Sequence, residues 1–250
     1  MNSKNTVNHN EFKPKDAILN PNSEFAVVEA YKAIRTNIMY SIPKTEGAKT
    51  IVVTSASAGE GKTTTCINLA QTFAQMNARV LLIDCDLRKP KVHRYLKVEK
   101  KDGLSNVVCG FAGLDAALKV NVRQNLDVLT SGENPPNPAE LLQTKEFERV
   151  MAVLKKVYDY IIIDTPPINV VTDATSVIKH SSGVVLLIKK GHTTYDMIDE
   201  AMETLERIDA NIIGTVLIDE KGAGRKNYKG YKGYKYGYQE KEEPSKKIIK

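Results

Sequence analysis

Residues 50–65, TIVVTSASAGEGKTTT, decide the fold. An apolar, β-branched run from Thr50 to Ser55 enters a loop of small residues, and Gly61-Lys62-Thr63 then opens a helical pattern. That order of strand, loop and helix is the context in which a P-loop match acquires a mechanism. Successive backbone N–H groups can converge on phosphates only if the loop takes conformations that Gly59 and Gly61 permit. Lys62 then supplies a point charge at the β/γ-phosphates and Thr63 offers a hydroxyl to Mg2+. The following helix presents the positive end of its dipole to the anion. The candidate nucleotide site is Ser57, Ala58, Gly59, Glu60, Gly61, Lys62, Thr63 and Thr64, with Ala56 standing where such loops usually begin with glycine. The alternative is a glycine-rich turn with no ligand.

Two further segments weigh against that alternative. VLLIDCDLRKP (80–90) brings Asp84 and Asp86 to the end of an apolar strand, and YIIIDTPP (160–167) does the same for Asp164. Ligands bind at the carboxyl ends of strands in open α/β sheets, and Mg2+ wants hard oxygen ligands there. Any one of these aspartates could be a strand-end turn residue; three beside a P-loop point to a metal-phosphate site.

The fold follows by working outward. Short, almost continuously apolar runs at 50–55, 79–84, 126–130, 160–164, 183–188 and 211–218 read as strands covered on both faces. Helical patterns at 62–77, 138–156, 173–180 and 194–208 separate most of them, so the expected architecture is a three-layer α/β sandwich on a mainly parallel sheet. A further helix is expected from Ser23 as N-cap to about Ile42, with Val27, Ala30, Ile34 and Ile38 on its apolar stripe. Residues 1–22 read as a polar, poorly ordered arm, 23–220 as the domain, and 221–250 as a disordered basic tail rich in Gly, Lys and Tyr.

Composition narrows the class. No apolar run approaches the 18 residues or so of a spanning helix, the N-terminus lacks a signal core, and Cys66, Cys85 and Cys109 have neither metal-ligand nor paired spacing. The chain is expected to be cytoplasmic. The net charge of +6 is localised: residues 221–250 carry ten Lys/Arg against three Glu, leaving 26 basic against 27 acidic residues in the rest.

With motifs in this order, the chain resembles the bacterial tyrosine kinases of capsule and exopolysaccharide assembly over about residues 23–240. It is most similar to the Gram-positive type, in which a separate membrane adaptor supplies the transmembrane part. The resemblance implies an ATP- and Mg2+-dependent kinase recruited to the inner face of the plasma membrane. It implies that Lys62 and Thr63 bind phosphate and Mg2+, that Asp86 and Asp164 complete the metal shell, and that Asp84 orients or deprotonates the tyrosine hydroxyl. It also implies exogenous protein substrates. Glu29, Lys32 and Arg35 resemble the family's EX2RX2R oligomerisation motif, with Lys32 in place of the middle arginine, which puts the strength of a ring contact in question. The other reading of these three is a solvated stripe with intrahelical pairs.

Tyr228, Tyr231, Tyr234, Tyr236 and Tyr238 are five of the eleven tyrosines. Taken alone, the tail suits nucleic acid, since Tyr stacks on bases and Lys neutralises phosphate. In a kinase of this family the cluster is the autophosphorylation substrate. Each phosphotyrosine brings about −1.5 to −2, so five convert a tail of +7 to between neutral and about −3. That change of sign favours the kinase reading over nucleic acid. The rivals are a partition or division-site ATPase and a non-catalytic, nucleotide-gated regulator of polysaccharide assembly. The former carries a lysine five positions before the P-loop lysine, where this chain has Ser57.

Overall fold

The computed structural model describes residues 17–42 and 47–219. In chain order the elements are α1 (Phe25–Ser41), β1 (Lys49–Ser55), α2 (Lys62–Ala74), β2 (Val80–Asp84), α3 (Val92–Leu96), α4 (Leu104–Val108), α5 (Leu114–Ala117), β3 (Lys119–Arg123), β4 (Leu126–Leu129), α6 (Pro138–Leu141), α7 (Lys145–Val157), β5 (Tyr160–Asp164), α8 (Asp173–Ile178), β6 (Gly183–Lys189), α9 (Tyr195–Arg207) and β7 (Ile212–Ile218). The strands form one sheet in the order β3-β4-β2-β5-β1-β6-β7. Every pairing is parallel except that of β3 with β4.

The central strands are apolar throughout because both faces are covered. Ile51, Val53, Leu82 and Ile162 pack with Ile67, Leu69 and Phe73 of α2 and Ile38 of α1 on one face. Val52, Leu81, Ile83, Ile161 and Ile163 pack with Phe147, Met151 and Leu154 of α7 and Leu205 of α9 on the other. Burying each such side chain contributes about 1.5–3 kcal/mol. The register fixes the site: Asp84 lies opposite Asp164 and Val53 lies opposite Asp164. Two carboxylates and the strand feeding the P-loop therefore end at one edge, with β5 in the middle.

The three-layer, mainly parallel architecture expected from sequence is the one observed, with local differences. Residues 17–19, expected in the arm, pack on the domain: Ile18 and Leu19 are buried, and the Leu19 N–H donates to Asn68 Oδ1 at 2.8 Å. Ser23 does not cap α1. Its hydroxyl accepts from the Asn20 N–H at 2.9 Å, and Glu24 takes the N-cap position. The apolar stripe of α1 runs through Tyr31, Ile34, Ile38 and Ile42, leaving Ala30 exposed. The single helix expected at 138–156 is two, because the Thr144 hydroxyl accepts from the Phe147 N–H and starts α7 anew. Edge strand β3 has no apolar run to announce it; it turns into β4 through Asn125 at φ 60°.

Candidate active site

The P-loop leaves the carboxyl end of β1 and returns as α2, whose N-cap Gly61 has φ +86°, as Gly59 has +82°. Both angles lie in the left-handed region that glycine tolerates, and a Cβ at either would meet nothing within 4 Å, so backbone conformation alone accounts for glycine there. Lys62 is buried and folds back under the loop, donating from Nζ to Ser55 Oγ at 2.9 Å and to the Ser57 carbonyl at 3.4 Å. Burial lowers its pKa, opposed by the carboxylates of Asp164, Asp86 and Glu60. An ammonium held this way is a charge that the fold has already desolvated.

Around it gather the aspartates read from sequence. Thr63 Oγ1 donates to Asp164 Oδ2 at 2.6 Å. Asp164 is 1% exposed, and burial pushes its pKa up to about 6, partly offset by the Thr63 hydrogen bond and the Lys62 charge. Asp84 is fully buried; its carboxylate accepts from the N–H groups of Asp86, Lys91 and Val92 at 3.1–3.2 Å. Burial, with the Asp164 charge added, holds it well above the usual carboxylate range. In this conformation Asp84 organises the 86–92 turn, and one of its roughly four lone-pair sites is left for another donor. Asp86 is the partly exposed member, accepting from the Lys89 N–H at 3.0 Å.

Thr63, Asp86 and Asp164 are hard oxygen donors of the kind Mg2+ prefers. Among the described residues no three or more His, Cys, Asp or Glu are grouped to hold a metal by themselves. Thr63 and Asp164 meet at 2.6 Å, the partly exposed Asp86 acts on Asp164 by its charge, and an ion that keeps several waters and takes further ligands from phosphates needs few protein donors, so the donor set fits.

Sequence reasoning missed two groups. Arg88 makes a bidentate pair with Asp173 at 2.8 and 2.9 Å, and Asp173 is fully buried at the start of α8. This clamp ties the Asp86 turn to the segment after β5. The second is what holds Glu60, itself one of the candidate nucleotide-site residues: it is fully buried, and its carboxylate accepts from Ser57 Oγ at 2.9 Å and from Thr193 Oγ1, in the loop after β6, at 2.6 Å. His192 Nε2 from the same loop lies 3.0 Å from Ser57 Oγ and 3.2 Å from the Ala58 carbonyl. Nothing in the periodicity of residues 189–194 distinguishes them from an ordinary connection.

Of the residues matched to the oligomerisation motif, Lys32 Nζ pairs with Glu29 Oε1 at 2.8 Å along the helix, both side chains being more than two-fifths exposed. Arg35 turns inward, its Nη1 donating to the Thr72 carbonyl at 2.7 Å, while its buried Nε finds no partner among the described residues. Tyr228, Tyr231, Tyr234, Tyr236 and Tyr238 lie outside the described residues, as do most of the expected N-terminal arm and the expected tail. Among the described residues no helix is long and apolar enough to cross a membrane.

The profile of the AAA domain family matches residues 48–216. The chain is 39% identical to tyrosine-protein kinase YwqD of Bacillus subtilis over 213 residues, which cover 85% of this chain and 89% of the relative. It superposes on the chimerical protein CapA2B2 with a TM-score of 0.74 at 35% identity, covering 79% of this chain and 85% of that one. A weaker likeness, with a TM-score of 0.58 at 25% identity and coverage of 68% and 70%, is to the septum site-determining protein MinD of Pyrococcus horikoshii in complex with Mg-ADP. The site is therefore that of a nucleotide-binding P-loop protein.

Proposed function

The chain belongs to the bacterial tyrosine-protein kinases, and from its site we propose that it transfers the γ-phosphoryl group of ATP to Tyr228, Tyr231, Tyr234, Tyr236 and Tyr238 of its own C-terminal cluster, regulating capsular or exopolysaccharide biosynthesis and export. The observation that carries this reading is the convergence of Lys62, Thr63, Asp84, Asp86 and Asp164 on one sheet edge.

In the transfer, a bond forms from the tyrosine oxygen to the γ-phosphorus while the bond to the β,γ-bridging oxygen breaks and ADP leaves. Such a reaction asks the protein for positioning and charge rather than covalent chemistry. The backbone N–H groups of 58–64 cradle the phosphates, the Ser57 N–H being held by Glu60, and Lys62 swings its ammonium from Ser55 and Ser57 to the β/γ oxygens. Thr63, Asp86 and Asp164 would hold Mg2+, which supplies positive charge against the phosphates. The phenol has a pKa near 10, so a carboxylate must receive its proton. Asp84 would orient the acceptor or take its proton through its remaining lone-pair site. The raised pKa of Asp84 suits a group that gains a proton.

Ser57 argues against a partition-type hydrolase. At the position where those ATPases have a lysine, this chain has a hydroxyl bound to its own Glu60 and His192. Homo-oligomer formation through Glu29, Lys32 and Arg35 draws support from the Glu29–Lys32 pair, whose side chains are more than two-fifths exposed and open to a neighbouring subunit, while Arg35 faces α2. A membrane adaptor of the polysaccharide co-polymerase type is the proposed activator, and it would place the kinase at the inner face of the membrane.

The test is incubation of the protein with labelled ATP and Mg2+, with and without an adaptor's cytoplasmic segment, followed by phosphoamino-acid analysis. Phosphotyrosine is expected, and replacing the five cluster tyrosines by Phe should remove most of it. Its absence under both conditions would end the kinase reading.

A further inference from the structure

A phosphate-binding loop gains nothing obvious from a buried carboxylate, yet Glu60 is fully buried in the middle of this one. No Lys or Arg hydrogen-bonds to it among the described residues; its partners are the Ser57 N–H and hydroxyl and the Thr193 hydroxyl. The direction of each bond can be assigned. Thr193 Oγ1 gives its hydrogen to Glu60 and accepts from the Lys189 N–H at 2.8 Å. Ser57 Oγ gives its hydrogen to Glu60, so towards His192 it can only accept, and the Ala58 carbonyl can only accept. His192 Nε2 therefore carries a hydrogen and donates to both. Lys189 Nζ adds a bond to the Gly59 carbonyl at 3.3 Å. The last residue of β6 and the loop after it thus grip residues 57–60, each of them, while leaving the N–H groups of 61–64 at the mouth of α2 unclaimed by them.

We infer that Thr193 and His192 are positioning residues: through Glu60 and Ser57 they hold the P-loop in the open cradle that receives the nucleotide phosphates. The inference rests on the reading of 56–63 as the nucleotide site and adds the element that keeps it preformed. Gly59 and Gly61 make the loop conformation accessible, but glycine also gives the chain many others, so something must select one. A buried carboxylate with three donors does this well, because releasing it without water or a cation is costly. With the grip loosened, the competent conformation becomes a minor one, and apparent affinity falls by that fraction.

The experiment is equilibrium titration of the full chain with a fluorescent ATP analogue and Mg2+, with steady-state autophosphorylation alongside. Thr193→Val keeps the shape and removes the hydroxyl; it should weaken nucleotide binding about tenfold, raising KM with kcat nearly kept. Thr193→Ser should restore affinity to within about twofold, since it returns the donor. His192→Ala should weaken binding about threefold, and His192→Gln, which also offers an N–H, should recover it. Thermal melting without nucleotide shows whether each variant folds; if Thr193→Val does not, the His192 pair decides. Unchanged affinity in Thr193→Val, or loss in Thr193→Ser equal to that in Thr193→Val, overturns the inference while wild-type binding stands. Wild-type protein that binds no nucleotide overturns the underlying reading, and this one with it.

Discussion

Strands β1, β2 and β5 have two ends, and the protein treats charge oppositely at each. At the amino end, Arg79 and Asp159 pair at 3.0 Å with side chains 63% and 44% exposed, and Lys49 lies 5.6 Å from the Tyr160 ring centroid. The Arg79 hydrogen bond keeps the Asp159 carboxyl below its usual range, the ordinary behaviour of a solvated ion pair. At the carboxyl end, Asp84 and Asp164 are buried side by side, both held above the carboxylate range, with Lys62 buried beside them. Buried like charges are costly to a fold, and their concentration where β1 becomes a phosphate loop marks the edge that works.

That contrast can be broken most sharply at Lys62. Lys62→Met should eliminate phosphotyrosine formation, a fall of at least about a thousandfold given what a single charge at a transferring phosphoryl group contributes. Residual activity within about tenfold of wild type would remove Lys62 from the chemistry. Next is the clamp behind the site. Arg88→Ala leaves the buried Asp173 unpaired and should destabilise the domain by about 2 kcal/mol, discounted because Arg88 is partly exposed, lowering Tm by about 4–8 °C. An unchanged melting curve would show the pair to be dispensable.

The pH dependence of stability sharpens the comparison further. Asp164 has a folded-state pKa of about 6, above its unfolded value, so the folded state binds more protons in that interval. The stability associated with it is present at low pH and lost as pH rises from about 4 through about 6. Asp159, with its folded value lowered, has the opposite sign and loses its contribution as pH falls. Without nucleotide or metal, Asp164→Asn should therefore melt higher than wild type at pH 7.5, and the difference should shrink towards pH 4.5. A difference independent of pH would contradict the assignment. The smallest effect belongs to the exposed end: Arg79→Ala should leave phosphoryl transfer unchanged and move Tm only slightly, less still in high salt.

The sequence was most legible where one local rule decided the outcome. The six apolar runs are strands within a residue or two; the inner ones are so because a strand covered on both faces has no choice of composition, whereas 211–218, also expected to be covered on both faces, is the partly exposed edge strand β7, with Leu217 63% exposed. Asp84 and Asp164 stand where reading them as strand ends put them. Legibility failed where a single side-chain contact, local or remote, decides between two patterns that residue type and spacing allow equally. Thr144 splits a helix through one hydroxyl, and β3 is a mostly exposed edge that periodicity does not reveal. Glu29, Lys32 and Arg35 share a spacing, yet two pair along the helix and the third turns to α2.

By itself, then, the sequence determined the order of elements, the phosphate loop and the aspartates brought to its edge, because these depend on residue type and spacing along a continuous stretch. Tertiary structure alone decided that Glu60 is held by Thr193, 133 residues away, and that Arg88 clamps Asp173, 85 residues away. Such contacts arise from strand order, which sets β1 between β5 and β6, and no local pattern encodes which distant loop a strand order will bring alongside.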